Sequence, residues 1–253
     1  MPRQLLKNQD LHPEAFSRLQ ANLRRCRERI NEAALQAGRD AEEISLVAVT
    51  KYVDAEVNRL LYHAGVRDFG ESTVQGADAK RQQLKDLTDT RWHFIGHLQR
   101  NKVARALQFV STIHSVDSVR LVREISRQRK KSGQEAPGLY IEVNLGSETH
   151  KSGLPPADLR DLLEVLRDED VVSSWEKEVL GLMTMAPYSD NPEDARPFFR
   201  NLNELRDNFT REGLLPKTAG LSIGMSGDFP TAIEEGATVV RIGSLLFDGL
   251  TKS

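Results

Sequence analysis

The sequence predicts an α/β protein built as a single (β/α)8 barrel of the TIM type. Three observations carry that prediction. From Ile44 onward, short apolar runs rich in β-branched residues alternate with charged segments of helical period. Eight such runs fall within 253 residues, the strand number and length of one barrel. No Gly-x-Gly-x-x-Gly follows the first run, which weighs against the competing architecture, an open doubly wound sheet.

A helix over about 13–38 comes first. Phe16, Leu19, Leu23, Cys26 and Ile30 recur three or four apart with Arg and Glu between them. Pro13 suits its first turn and Gly38 its end. Strands are then expected at 44–50, 67–70, 91–95, 111–114, 138–144, 178–183, 219–223 and 238–242. The helices between and after them are expected at 54–64, 73–87, 101–107, 117–131, 156–168, 192–212 and 229–235. With the leading helix, that makes one helix per strand. Acidic 164–178 reads as a loop following a helix. No linker, solenoid repeat or second domain is visible, so 1–253 reads as one domain with the helix 13–38 packed on the barrel.

Composition narrows the function classes. Lys+Arg number 35 against 37 Asp+Glu, a net charge of −2, which offers no global attraction to nucleic acid or an anionic membrane. No run approaches the roughly 20 apolar residues of a membrane helix. Met1-Pro2-Arg3-Gln4 lacks the apolar core of a secretory signal. Cys26 is the only cysteine, so neither a disulfide framework nor a Cys-based metal site can form, and a reducing, cytoplasmic setting is expected.

Barrel sites lie at the carboxyl ends of the strands, with phosphate often held after strands seven and eight. Lys51 directly follows the first strand. An amine there can form a Schiff base with an aldehyde if burial or nearby cations lower its pKa, and the plain alternative is a solvated lysine at a strand end. Strand seven runs into Gly224-Met225-Ser226-Gly227-Asp228, and strand eight into Gly243-Ser244. Both loops expose backbone N–H groups and a hydroxyl suited to phosphate. Arg241 shares a strand face with Val239, and Val240 shares the other with Ile242. If the apolar face packs on helices, Arg241 points into the barrel mouth. There it either pairs with a carboxylate such as Glu142 or donates to a ligand. His93 and His97 are four apart, but Gly96 and the strand context argue against a helical metal pair, and no metal is expected.

The combination of motifs resembles the YggS/PROSC family, the pyridoxal phosphate homeostasis proteins. The matching pieces are Val47-Ala48-Val49-Thr50-Lys51, Phe69-Gly70-Glu71, Val74-Gln75, Trp92-His93-Phe94-Ile95-Gly96 with Leu98-Gln99 and Asn101-Lys102, Glu142-Val143-Asn144, Lys151-Ser152-Gly153, Gly181-Leu182-Met183, and Leu221 to Ser226 through Val240 to Gly243. They span roughly 16–249. The resemblance implies a barrel similar to the N-terminal domain of alanine racemase, with pyridoxal 5′-phosphate (PLP) at its mouth as a Schiff base. It places the anchoring amine at Lys51, the phosphate loops at Ser226, Gly243 and Ser244, and the arginine facing the pyridine nitrogen at Arg241. Ser72 and Met225 fall at further cofactor-contacting positions. The family commonly reads Gly-Glu-Asn where this chain has Gly70-Glu71-Ser72, so a contact from Ser72 would be shorter or water-mediated.

PLP enzymes that need a strong electron sink usually place a carboxylate on the pyridine nitrogen. An arginine cannot accept a pyridinium proton. Racemases of the related fold add a tyrosine base from another domain, and none of Tyr52, Tyr62, Tyr140 and Tyr188 has a context that marks it as such a base. The expectation is a PLP carrier that hands cofactor to apo-enzymes and has no catalytic residues of its own. A monomer is expected, with a dimer left open. A PLP-dependent amino-acid racemase is the alternative, and a Schiff-base aldolase acting on a sugar phosphate is a third reading.

Overall fold

A computed structural model describes residues 14–146, 152–168, 171–172 and 174–250. Eight parallel strands close into a barrel in chain order. They are β1 (Ser45–Val49), β2 (Asp68–Glu71), β3 (Arg91–Phe94), β4 (Val110–Val116), β5 (Gly138–Glu142), β6 (Val179–Met183), β7 (Gly220–Ser222) and β8 (Val239–Ile242). All eight fall where the apolar runs predict them. The helices are α1 (Ala15–Gln36), α2 (Ala55–His63), α3 (Val74–Gln83), α4 (Val103–Ala106), α5 (Val119–Ser132), α6 (Leu159–Leu166), α7 (Trp175–Glu178), α8 (Arg196–Arg211) and α9 (Phe229–Glu234).

Period-2 alternation decides what each strand residue does. Ala48, Ile113, Ile141, Leu182, Val240 and Ile242 face outward into the main apolar core shared with the helices. Val47, Tyr140, Met183 and Val239 form a separate cluster that fills the barrel interior. Closure pairs β8 with β1, setting Val47 opposite Arg241 and Ala48 opposite Ile242. The strands β6 and β7 approach so closely that a Cβ on Gly181, whose φ is +139°, would lie 1.9 Å from the Gly220 carbonyl oxygen.

Side chains cap several helices. Asp54 accepts from the Val57 N–H at the start of α2, Thr73 from Gly76 at α3, and Ser118 from Leu121 at α5. Among the described residues after β8, only a short 3-10 turn follows, Ser244–Phe247. The missing eighth outer helix is supplied by α1, which packs against α9, α2 and that turn. Its inner face buries Leu19, Leu23, Cys26, Ile30 and Ala34. The Asn22 amide donates to the carbonyls of Leu246 (3.1 Å) and Asp248 (2.9 Å), tying α1 to the turn after β8. Cys26 is buried in this seam, and burial raises its thiol pKa.

Three expectations need adjustment. The stretch 164–178 is not all loop, because α7 occupies its end. Its charge misled: Glu178 is buried and paired with Arg129 of α5 at 2.6 Å, and accepts from the Ser174 N–H at 2.9 Å. The helix expected over 73–87 stops at Gln83, and the one over 101–107 begins as a 3-10 turn, Arg100–Lys102. Pro13 lies outside the described residues. Among those residues no helix is long and apolar enough to cross a membrane.

Removing the Asn22 amide leaves two carbonyls without their partner. Asn22→Ala is expected to lower the unfolding free energy by about 1–3 kcal/mol, read by chemical denaturation.

Candidate functional site

A cavity of about 280 Å³ opens at the carboxyl ends of the strands. Lys51, Met225, Ser226, Arg241, Gly243 and Ser244 all line it, joined by Val49, Ile95, Met185, Pro187, Tyr188 and Asp228. Ser72 is not part of the lining. It sits half-buried at the end of β2, with its backbone so close under Gly96 that a Cβ there would meet the Ser72 carbonyl oxygen at 2.2 Å.

Lys51 is exposed at the rim rather than buried, with its ammonium 5.2 Å from the Tyr52 ring centroid. Its backbone is held from beneath. Lys80, on α3, is buried and donates to the Thr50 carbonyl at 2.6 Å and to Glu71 Oε1 at 2.5 Å. The Thr50 hydroxyl donates to the same carboxylate oxygen at 2.7 Å and accepts from Asn58 at 3.3 Å. A buried ion pair survives only when its lone pairs and protons are met. Here they are met by the residue immediately before Lys51.

Two loops form the opposite wall. The Asp228 carboxylate accepts from the Met225 N–H at 2.5 Å, closing residues 225–228 into a tight turn. Gly224 enters that turn at φ +91°, where a Cβ would lie 2.7 Å from Ala232 Cβ, so both conformation and space require glycine. The Ser226 hydroxyl accepts from the Gly243 N–H at 3.1 Å and joins the two loops. The N–H groups of Ser226, Gly227 and Ser244 have no acceptor among the described residues. Burial pushes the Asp228 carboxyl pKa up, against the pull of the Met225 N–H and the Arg241 charge.

Arg241 is buried at 4 % exposure and has no carboxylate within salt-bridge distance among the described residues. The pairing with Glu142 does not form. Glu142 instead accepts from the Ser152 hydroxyl at 2.6 Å, and burial raises its pKa. The Arg241 guanidinium donates to the Ser222 carbonyl (2.6 Å), the Ser222 hydroxyl (2.7 Å) and the Thr184 carbonyl (3.2 Å). Burial lowers its pKa to about 10, which leaves it charged at neutral pH.

Below Arg241, polar groups continue through the barrel. The His114 ring meets Ser222 Oγ at 2.7 Å and the His93 ring at 2.9 Å, and His93 meets Asp68 Oδ1 at 2.9 Å. Arg91 closes the chain on Asp68 with two bonds, at 2.7 and 2.6 Å. His114 is fully buried and stacked on Tyr140, with centroids 4.9 Å apart. Burial first, then the nearby His93 and Arg241, hold its pKa well below 6.5. Burial works to raise the Asp68 pKa, but hydrogen bonds from His93 and Arg91 outweigh it and bring the value to about 2.

Sequence reasoning passed over Lys80, His114, Ser222 and Asp68. The inward-facing parity that marks Arg241 on its strand marks His114 and Ser222 on theirs as well. Lys80 carried no comparable signal, since a lysine on a charged helix ordinarily faces water. His93 and His97 do not converge: His97 pairs with Asp117 at 3.2 Å. Among the described residues no group of His, Cys, Asp or Glu is arranged to hold a metal ion. A second cavity, of about 310 Å³, lies at the opposite end beneath α1. Its arginines are engaged: Arg27 with the Gly65 carbonyl, Arg67 with Asp89 and Arg91 with Asp68.

The family model described as "Alanine racemase, N-terminal domain" matches residues 16–250. The pyridoxal phosphate homeostasis protein of Aquifex aeolicus is 46% identical over 227 residues, covering 89% of this chain and 95% of that one. The chain belongs to the pyridoxal phosphate homeostasis protein family. The Pseudomonas aeruginosa member is 36% identical over 235 residues, covering 92% of this chain and 96% of its own. The structure of the family member PipY from Synechococcus elongatus, described as having PLP bound, superposes with a TM-score of 0.73 at 35% identity, covering 86% of this chain and 99% of that one. Alanine racemase from Clostridium difficile, at 16% identity and a TM-score of 0.66, shares the barrel fold.

Two outcomes follow for this family member. Glu71→Gln leaves the buried Lys80 ammonium without its counter-charge and is expected to cost about 3–5 kcal/mol, while Glu71→Gln with Lys80→Met recovers part of that loss in urea unfolding. The pH dependence follows from two depressed pKa values. Unfolded His114 takes up a proton below its ordinary 6.5 while the folded residue stays neutral, so stability is full above that pH and falls as pH drops. The slope attributable to one such group is about 1.4 kcal/mol per pH unit. Asp68 adds a loss as pH falls from its ordinary 3.8 towards about 2. Denaturation midpoints across pH 8 to 5, at roughly one-unit steps over the histidine range, should decline in the wild type and flatten in His114→Gln.

Proposed function

We propose that this protein binds pyridoxal 5′-phosphate reversibly on Lys51 and serves PLP homeostasis as a carrier, without a reaction of its own. When bound, that cofactor supplies an aldehyde, which an amine captures as a Schiff base with loss of water, and a ring able to withdraw electrons. The observation that carries the reading is the meeting of three chemistries on one cavity wall. These are the Lys51 amine, the unengaged N–H groups of Ser226, Gly227 and Ser244, and the buried Arg241 cation.

The residues present fit the group. Three free N–H donors suit a phosphate dianion. The cavity, of about 280 Å³, has the size for one aromatic ring with its substituents. Arg241 keeps its protons at neutral pH, so it donates to a ring nitrogen and cannot serve that nitrogen as a counter-charge. That arrangement weakens carbanion stabilisation and favours holding over transforming. The exposed rim position of Lys51 leaves its amine open to exchange with another protein's lysine, as delivery to apo-enzymes requires. Ser72 and Met225 complete the proposed contacts, with Ser72 acting through water. The reading takes the single barrel, 1–253, as a monomeric unit working in the cytoplasm. The name and the PLP-bound structure of its relatives support it.

An amino-acid racemase on the same cofactor needs a second base at the mouth. Tyr188 lines the cavity, yet its hydrogen bond to Asp190 raises its pKa and makes it a poor one.

Purified protein titrated with PLP should gain the absorbance of a Schiff base, and borohydride should fix on Lys51 the mass of PLP less one water plus two hydrogens. Lys51→Ala should show neither. A wild-type protein that stays colourless would overturn the reading. Deuterium exchange at the α-carbon of a panel of amino acids should stay far below about 10 per second, the median of enzyme turnover.

A further inference from the structure

Arg241 is held by a polar chain that crosses the barrel, and with a single proton on each imidazole the direction of every hydrogen bond in that chain follows from its two ends. Arg241 can only donate. Asp68 is ionised and can only accept, since its two oxygens already face Arg91 and His93. His93 therefore carries its proton on Nε2, facing Asp68. With that one proton on the His93 ring, the other nitrogen, Nδ1, accepts, so the His114 nitrogen facing it, Nε2, carries the proton. His114 Nδ1 is then an acceptor and takes the Ser222 hydroxyl proton. The Ser222 oxygen is left with its lone pairs, one of which accepts from the Arg241 guanidinium. Each donor meets an acceptor, and no group in the chain is frustrated.

The elements around His114 leave it no other arrangement. It faces His93 on β3, Tyr140 on β5, Ser222 on β7 and the charge of Arg241 on β8. It has no exposure, and neither does Ser222. A cation at His114 would sit beside Arg241 with no carboxylate between them. The opposite tautomer, with the proton on Nδ1, would turn its N–H onto Ser222 and displace the hydroxyl proton that now points to the ring.

We infer that His114 and Ser222 are positioning residues, which set the Arg241 guanidinium at the mouth through a one-way hydrogen-bonded chain anchored on Asp68. The inference deepens the proposed cofactor site and rests on it for its effect on the ligand, but the chain itself is a property of the protein alone. Neither His114 nor Asp68 lines the cavity, so their influence on a ligand passes only through Ser222 and Arg241.

Two measurements test it. Long-range ¹H–¹⁵N correlation on the unliganded, ¹⁵N-labelled full chain reads the tautomer of each ring, with His114→Gln and His93→Gln for assignment. His114 and His93 are expected as neutral Nε2–H tautomers, and Ser222→Ala should shift the slowly exchanging guanidinium protons of Arg241. Titration of PLP into full-length Ser222→Ala and His114→Leu should give a displaced absorbance band and binding weaker by about tenfold, the size of one lost hydrogen bond to a charged group. His114→Gln should restore both towards wild type, because its amide can accept from Ser222 and donate to His93. A merely structural role would alter melting without moving the band. If His114→Leu fails to fold, Ser222→Ala carries the test, since it removes only a hydroxyl. A proton on His114 Nδ1, or a Ser222→Ala protein with the wild-type band and affinity, would sink the inference. If the wild type takes up no PLP, the cofactor reading falls, and the tautomers and Arg241 protons still decide the chain.

Discussion

The pairing of β8 with β1 is the constraint on which the rest depends. An open parallel sheet would leave two strand edges with unsatisfied backbone groups, and closure removes both. The register of that pairing sets Val47 opposite Arg241. It thereby brings the loop of Lys51 beside Gly243 and Ser244, which lie far away along the chain. The packing that permits closure is local and demanding, as the contact between Gly181 and Gly220 shows. The helix α1 completes the outer ring at the seam, where the described residues after β8 form only a short turn.

The barrel interior holds both apolar and polar groups, and the two kinds of burial do different work. Val47, Tyr140, Met183 and Val239 fill space. The Lys80–Glu71 pair and the chain from Arg241 to Asp68 fix geometry. Such groups add little net stability over apolar residues of the same volume, but lose several kcal/mol, roughly 3–5, when one partner is removed. Their effect is therefore to hold particular atoms in place. Lys80 holds the carbonyl that precedes Lys51, and Ser222 holds the guanidinium across the cavity from it.

Anchor and cradle are built differently for a physical reason. On the proposed reading the loops after β7 and β8 hold phosphate and need rigid backbone N–H groups, and a glycine turn closed by Asp228 provides them. A reversible anchor, the role proposed for Lys51, needs access, and Lys51 stands exposed on a rigid base. The proposed carrier role is served by that contrast.

The strand pattern by itself determined the barrel, because period-2 burial between helical segments has few other solutions. It also determined which strand ends face the mouth, and with them Lys51, Ser226, Arg241, Gly243 and Ser244. What it did not carry are contacts between residues distant in sequence. Glu178 reads as one more acidic loop residue until Arg129 of α5 neutralises it. Lys80 reads as a solvated helix lysine until α3 lays it against Glu71 and Thr50. Arg241 was open between a carboxylate and a ligand, and only the tertiary structure showed Glu142 taken by Ser152 and Ser222 in its place. Local pattern records which face a side chain takes. The partner it meets there depends on barrel closure and register, which no stretch of sequence holds alone.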